Sequence, residues 1–234
     1  MSWFEFNGVR SSDMGVLLMS APDITRAPMR YELVEVNGRD GVEYNSLGYG
    51  NYIKELNIGI KKEADIDKIL AWLSGKGRLT ISNEPDKYYE VFMLSESVYS
   101  KLISFRKAII PCTCKPFKKA VKNTPVKLSI EEAKVNSTVI NAGSYIAEPT
   151  IDVTVNGDFE IYINGNKFCD ILLNEESIIT IDSENMECYK NGVKYNRSMK
   201  GEFPVFEPGE NSLMIESLAG AVTKCEVVVN PRWL

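Results

Sequence analysis

The chain has 234 residues, 44% of them hydrophobic and 25% charged, a composition that can bury a real core and is not that of a disordered protein. This length fits one large domain or two small ones better than three, and two are expected. A formal net charge of -5 and a pI near 5.1 give no global attraction to nucleic acid or to an anionic membrane, so any such contact has to be local.

The first residues, Met1-Ser2-Trp3-Phe4-Glu5, show no basic stretch followed by an apolar one, and no apolar run approaches the roughly 20 residues that span a bilayer. The expectation is a protein made and kept in a cytoplasm, or one that leaves by a route other than secretion. Five cysteines at irregular spacing, Cys112, Cys114, Cys169, Cys188 and Cys225, argue for reduced thiols and against a disulfide framework. Asn-Gly pairs, the strongest short-range hairpin signal, occur at Asn7, Asn37, Asn156, Asn164 and Asn191. Several follow alternating segments: Trp3-Phe4-Glu5-Phe6, Glu32-Leu33-Val34-Glu35-Val36, Ile151-Asp152-Val153-Thr154-Val155 and Phe159-Glu160-Ile161-Tyr162-Ile163. Each reads as a half-buried antiparallel strand.

After the second pair comes a glycine and tyrosine stretch from Asn37 to Gly50. It has neither a Gly-Lys-Ser/Thr phosphate loop nor a dinucleotide fingerprint, and it is expected to be a shaped contact loop, since tyrosine offers large amphipathic area at low entropy cost. From Glu63 to Leu73 the period changes. Ile66, Ile69, Leu70 and Leu73 fall at helical spacing, acids crowd the first turn, and Gly75 and Gly77 supply the stop. One amphipathic helix lying on a sheet is predicted. From Lys101 to Lys127 the chain carries Lys101, Arg106, Lys107, Lys115, Lys118, Lys119, Lys122 and Lys127, with no acid between Glu96 and Glu131. This run reads either as a positive stripe facing phosphate or as solvated lysines guarding a sheet edge.

Between Asn123 and Pro149 the alternation weakens, which places a domain boundary near Asn141 to Pro149. The expected organisation is mainly β: an α+β N-terminal domain over residues 1–140 and an antiparallel β-sandwich over residues 141–234.

Catalytic chemistry is hard to assemble from these residues. Histidine is absent, which removes the commonest general base and metal ligand. Without an activating partner the cysteines read as small hydrophobes. Cys112-Thr113-Cys114 puts two sulfurs on one strand face, yet a zinc site needs two further ligands and none is near in sequence. The carboxylate pairs Asp182 with Glu184 and Glu131 with Glu132 read as solvated acids in turns. No cofactor is expected.

Three stretches, taken in order, resemble the distal tail protein (Dit) family of baseplates in long, non-contractile-tailed bacteriophages. They are Val36-Asn37-Gly38-Arg39-Asp40-Gly41; Ala108-Ile109-Ile110-Pro111-Cys112-Thr113-Cys114-Lys115-Pro116-Phe117; and Gly201-Glu202-Phe203-Pro204 with Glu207-Pro208-Gly209-Glu210-Asn211, Val222 to Val229 and Asn230-Pro231-Arg232-Trp233. The resemblance implies an N-terminal domain that closes into a six-fold ring and a galectin-like C-terminal sandwich, at the virion tail tip. Its partners would be five further copies, the tail tube protein, the tail-associated lysin or hub, the tape measure and receptor-binding proteins. DNA would pass through the ring only transiently, with no membrane contact. Arg39, Asp40 and Tyr49 would lie at the ring contact, and Lys101, Arg106, Lys107, Lys115, Lys118 and Lys119 could line the lumen. The short turns of the second domain point to the smaller, adaptor form. Two rival readings stay open: a sugar-binding or adhesin module using Tyr162, Tyr189, Tyr195 or Trp233, and a hydrolase using Asp182 and Glu184.

Overall fold

The structure, a computed structural model, describes residues 2–93, 105–131, 134–218 and 220–234. Among the described residues it is mainly β, with the α-helix α1, and the chain divides into two compact units, Met1–Val121 with Leu234, and Lys122–Trp233.

The first unit contains β1 (Phe4–Phe6), β2 (Val9–Arg10), β3 (Val16–Ser20), β4 (Met29–Val34), β5 (Glu43–Tyr49), β6 (Tyr52–Ile60), α1 (Ile66–Trp72), β7 (Gly75–Ile81), β8 (Glu84–Met93) and β9 (Lys107–Ala120). Its main sheet runs in the order β2-β1-β7-β8-β9-β6-β3, with antiparallel neighbours. Alternation puts Phe4, Phe6, Leu56, Ile58, Leu79 and Ile110 into one core. Helix α1 closes that core as its spacing predicts: Ile69 and Leu73 are buried, and Ile66 and Leu70 pack at the margin. Each fully buried aliphatic side chain contributes about 1.5–3 kcal/mol. The helix starts where Asp65 accepts hydrogen bonds from the backbone N–H groups of Asp67 and Lys68. Its last turn is fixed by Trp72, which stacks on Phe4 at 5.6 Å and donates its indole N–H to the Phe6 carbonyl at 3.1 Å.

The second unit holds β10 (Val126–Lys127), β11 (Ile130–Glu131), β12 (Lys134–Asn141), β13 (Thr150–Asn156), β14 (Phe159–Ile163), β15 (Asn166–Ile171), β16 (Ser177–Asp182), β17 (Glu187–Lys190), β18 (Val193–Lys194), β19 (Met199–Gly201), β20 (Gly209–Ser217) and β21 (Ala221–Val228). They form two six-stranded sheets, β10-β21-β13-β16-β17-β18 and β11-β12-β20-β14-β15-β19. Both contribute to one core that includes Val139, Val153, Ile161, Ile179, Leu213 and Val227. This is a β-sandwich, as the short alternating segments predict.

The boundary expected at residues 141–149 is corrected. Residues 134–141 are a full strand paired with β20 from Val135 to Asn141, and the polar residues that look like a linker are partly its solvent face. Asn141 is itself buried. Its amide donates to the Tyr145 and Phe206 carbonyls and accepts from the Gly143 N–H, and a Cβ at Gly143 would lie 2.4 Å from the Arg232 carbonyl oxygen. The glycine serves close approach here, not flexibility.

Three Asn-Gly pairs make the expected tight hairpins, with both residues at positive φ at Asn7-Gly8, Asn164-Gly165 and Asn191-Gly192. Each asparagine side chain also accepts a backbone N–H across the sheet, from Arg78, Ser212 and Ile178 respectively. The other two differ. Asn156-Gly157 joins β13 to β14, which belong to different sheets, and Asn37-Gly38 lies in the longer connection between β4 and β5.

The Pro208-Gly209-Glu210-Asn211 turn has a physical cause. Buried Asn211 donates to the Glu207 and Gly209 carbonyls at 2.8 and 3.1 Å and accepts from the Glu207 N–H and the Asn164 amide, both at 3.0 Å. Replacing Asn211 with Ala strands these groups and is expected to destabilise the second unit by about 2 kcal/mol, read as a lower urea midpoint with an unchanged slope.

Candidate assembly interface

Strands β4 and β5 pair only with each other. Leu33 faces Tyr44 and Tyr31 faces Ser46 in register, so Tyr31, Leu33 and Tyr44 share one face of the hairpin, with Tyr31 edge-on to Tyr44 at 5.4 Å. Glu32, Val34, Glu43 and Asn45 occupy the other face. The hairpin is amphipathic, yet its apolar face is uncovered: Tyr31, Leu33 and Tyr44 are 53%, 55% and 68% exposed. An isolated two-stranded hairpin is marginal in water, and a contiguous exposed apolar patch marks a contact surface.

Its base is tied down. Arg30 donates to the Leu47 carbonyl at 2.9 Å, the Gly50 N–H donates to Pro28, and Lys54 donates to the Asp23 carbonyl at 2.6 Å. Tyr49 lies edge-on to Phe117 of β9 at 5.8 Å. The stretch expected to be a glycine and tyrosine loop is thus a strand from Glu43 onward. The irregular part is confined to residues 35–42, which are exposed and carry Arg39 and Asp40, with Arg39 paired to Glu43. The first strand of the hairpin was legible as a strand. Its apolar face would pass for core, because alternation says that a face is covered without saying by what.

Among the described residues the basic run is largely matched by acids and carbonyls. Lys101 lies outside the described residues. Lys118 is buried, with its ammonium 2.8 Å from Glu84. Lys115 and Lys119 lie 2.8 and 3.7 Å from Glu90, and Lys127 lies 3.8 Å from Glu226. Arg106 donates to the Ala64 carbonyl, while Lys107 and Lys122 are exposed. The acids that neutralise the run stand on neighbouring strands, so a scan along the chain does not see them.

Around Glu84 the core holds a polar cluster that linear reading missed. Tyr89 donates to the second Glu84 oxygen at 2.5 Å, and the buried Lys54 ammonium stands over the Tyr89 ring. Burial opposes ionisation of Glu84, but hydrogen bonds from Lys118 and Tyr89 and the Lys118 and Lys87 charges outweigh it and hold the carboxyl below its ordinary range. Burial pulls the Lys54 ammonium down. All five cysteines are buried and free. Cys112 and Cys114 share the inward face of β9, and the Cys112 thiol donates to the Lys54 carbonyl. The Cys112 thiol is pushed up by its hydrogen bond to Cys114 and by burial, and burial pushes Cys169 and Cys225 up to about 12. These thiols behave as core.

The remaining candidates are engaged locally. Asp182 accepts from the backbone and side chain of Asn185, Glu131 and Glu184 are exposed, and Glu132 lies outside the described residues. Tyr162 and Tyr189 donate to Glu160 and Glu187, and Tyr195 donates to the Leu172 carbonyl. Trp233 is half-buried. Among the described residues no group of three or more acids or cysteines is arranged to hold a metal ion, and no helix is long and apolar enough to cross a membrane.

Among solved structures the chain is similar to SPP1 Dit (gp 19.1), presented as a paradigm of the hub adsorption apparatus in phages that infect Gram-positive bacteria. The match has a TM-score of 0.76 at 13% identity and covers 100% of both chains. The chain shares the fold of that protein over its whole length. Structures of the phage P2 baseplate in its activated conformation, with Ca and with Sr, match at TM-scores of 0.44 and 0.46 and 10% identity, covering 99% and 97% of this chain and 98% and 97% of those. No family model and no curated protein matches the sequence.

The Glu84 cluster yields a pH dependence. A carboxyl depressed in the folded state stabilises fully above the ordinary glutamate range, and that contribution is lost as pH falls through the folded value. Stability of the first unit is expected to fall on acidification, and Glu84→Gln should flatten the dependence in urea unfolding at several pH values. Lys118→Met alone strands a buried carboxylate and should cost about 3 kcal/mol, most of which is recovered in Glu84→Leu/Lys118→Met.

Proposed function

We propose that this chain is a structural subunit of a phage tail tip, a non-catalytic hub that assembles through its first unit into a homohexameric ring. The observation that carries this reading is the β4–β5 hairpin, an apolar face held out on an anchored base in a chain with the fold of SPP1 Dit. Burying such a face is favourable at about 25 cal/mol per Å², and in this reading another copy of the chain buries it. In this reading Arg39 and Asp40 at the hairpin tip belong to the ring contact, and Tyr49 braces its base. The ring joins the tail tube and tape measure to the tail-associated lysin or hub, and DNA passes through it. The sandwich, galectin-like in this reading, offers surface to receptor-binding proteins. Of the basic run, Lys107 and Arg106 are the residues left to face a lumen, since Lys118 is internal and Lys115 and Lys119 are paired.

Native mass spectrometry and light scattering test the reading. The expected result is a six-chain species whose abundance rises with concentration. Leu33→Asp should raise the concentration for half-assembly at least ten-fold while leaving the far-ultraviolet circular dichroism unchanged, because Leu33 is exposed. A monomer at high concentration, alone and with its tail partners, would remove the proposal.

A further inference from the structure

The five Asn-Gly pairs are alike in sequence and unlike in their chemistry. In such a pair the backbone nitrogen of the glycine can attack the side-chain carbonyl carbon of the asparagine, because glycine carries no side chain to shield the approach. A fold suppresses that attack where it clamps the asparagine amide or the peptide that has to rotate, since the clamp must open first. Four of the five pairs are clamped. The side chains of Asn7, Asn164 and Asn191 accept from the N–H groups of Arg78, Ser212 and Ile178, each at 2.9 Å, and their own N–H groups donate back to the carbonyls of the same three residues. Asn156 ends β13, paired with Ala221, and its carbonyl accepts from the Ser217 hydroxyl at 3.0 Å. A Cβ on Gly220 would collide with that carbonyl oxygen, so the Asn156-Gly157 peptide has no room to turn.

Asn37-Gly38 has no such clamp. It lies in the connection between β4 and β5, beyond the last ladder pair of Val34 with Glu43, and both residues are exposed. The Asn37 side chain has no hydrogen-bond partner among the described residues. The turn over the pair is closed by the Arg39 N–H donating to the Val36 carbonyl at 3.1 Å. The neighbouring Arg39–Glu43 ion pair is exposed and adds little. Gly38 has a φ of 84°, and a Cβ built on it would meet nothing within 4 Å, so the approach to its nitrogen is open.

We infer that Asn37 is a site of spontaneous modification, where the chain closes a succinimide with Gly38 and reopens it as isoaspartate or aspartate. The Gly38 nitrogen bonds to Cγ of Asn37, the Cγ–Nδ2 bond breaks, and the amide departs as ammonia with the proton that Gly38 gives up. Water then opens the ring. Opening at one carbonyl leaves aspartate, and opening at the other leaves isoaspartate, with the main chain running through the former side chain. One ammonia is lost and one water gained, with no oxidation or reduction. Each event adds a negative charge beside Glu35, Asp40 and Glu43. Isoaspartate also lengthens the backbone between Val36 and Arg39, which removes the spacing that their turn requires. On the self-assembly reading above, which places the tip in the ring contact, free copies are open to this change and assembled copies are shielded.

The test incubates the full-length chain in mildly alkaline buffer and follows each Asn-Gly pair by peptide mapping, with Leu33→Asp as the form that stays unassembled. In Leu33→Asp, Asn37 is expected to convert at least ten-fold faster than any of the other four pairs. The product should accept a methyl group from an isoaspartyl methyltransferase, and Asn37→Ser should abolish that signal. In concentrated urea the five pairs should convert at similar rates, because the fold sets the ranking. Retention of the Asn37 amide, an equal rate at another pair in the folded chain, aspartate without isoaspartate, or the same preference in urea would overturn the inference. Wild type at concentrations where it assembles should convert more slowly than Leu33→Asp. Equal rates in the assembled state would take the tip out of the ring contact, and the placement of Arg39 and Asp40 would fail while the modification site stands.

Discussion

A two-stranded sheet cannot cover its own face, and much of what is distinctive here follows from that constraint. Every other described strand belongs to a larger sheet with a core against it. The β4–β5 hairpin has a partner strand and no core, so its stability is borrowed, first from the anchors at its base and then from whatever covers Tyr31, Leu33 and Tyr44. The anchors explain why the base is rich in long-range hydrogen bonds for so short an element: Lys54 to Asp23, Arg30 to Leu47 and Gly50 to Pro28 hold the exit and return of the chain while the tip stays free. The polar cluster of Glu84, Lys118, Tyr89 and Lys54 shares Lys54 with these anchors. Buried and hydrogen-bonded, it favours one arrangement over the alternatives that a purely apolar core would tolerate.

How legible this was depends on whether the deciding partner was near in sequence. The helix was legible because its period, its Asp65 cap and its stop at Gly75 all lie within a dozen or so residues. Three of five Asn-Gly hairpins were legible for the same reason, since the turn residues themselves adopt the required φ. Asn156-Gly157 was not, because whether a turn joins paired strands or moves the chain between sheets is decided by β16 and β20, far along the chain. The supposed linker failed similarly. Asn136 and Thr138 look like loop residues until β20 pairs with them, and Asn141 looks flexible until its amide is seen closing a buried corner.

The same logic separates the good part of the site from the bad. A run of lysines without acids allows a positive stripe as one of two readings, yet Glu84 and Glu90 face it from β8, far away in sequence and within hydrogen-bonding distance of Lys118 and Lys115. The tip residues Arg39 and Asp40 were singled out through a resemblance; they lie in the exposed connection between β4 and β5, and their part in a ring contact belongs to the proposal. The apolar residues that carry it were hidden in plain alternation, because a strand with one apolar face reads alike whether that face meets its own core or a neighbour's surface.

Leaving the hairpin unaccompanied has a further effect during synthesis, before any partner is present. Both of its strands are edge strands, so each offers a row of unpaired backbone N–H and C=O groups to any passing strand, a standing invitation to side-by-side aggregation. The register shift between Met29 and Tyr31 twists one edge away from flat pairing, and Glu32 and Glu43 put charge on its back. A protein that must stay unassembled until its neighbours arrive can then carry a sticky face, provided that its edges repel what its face attracts.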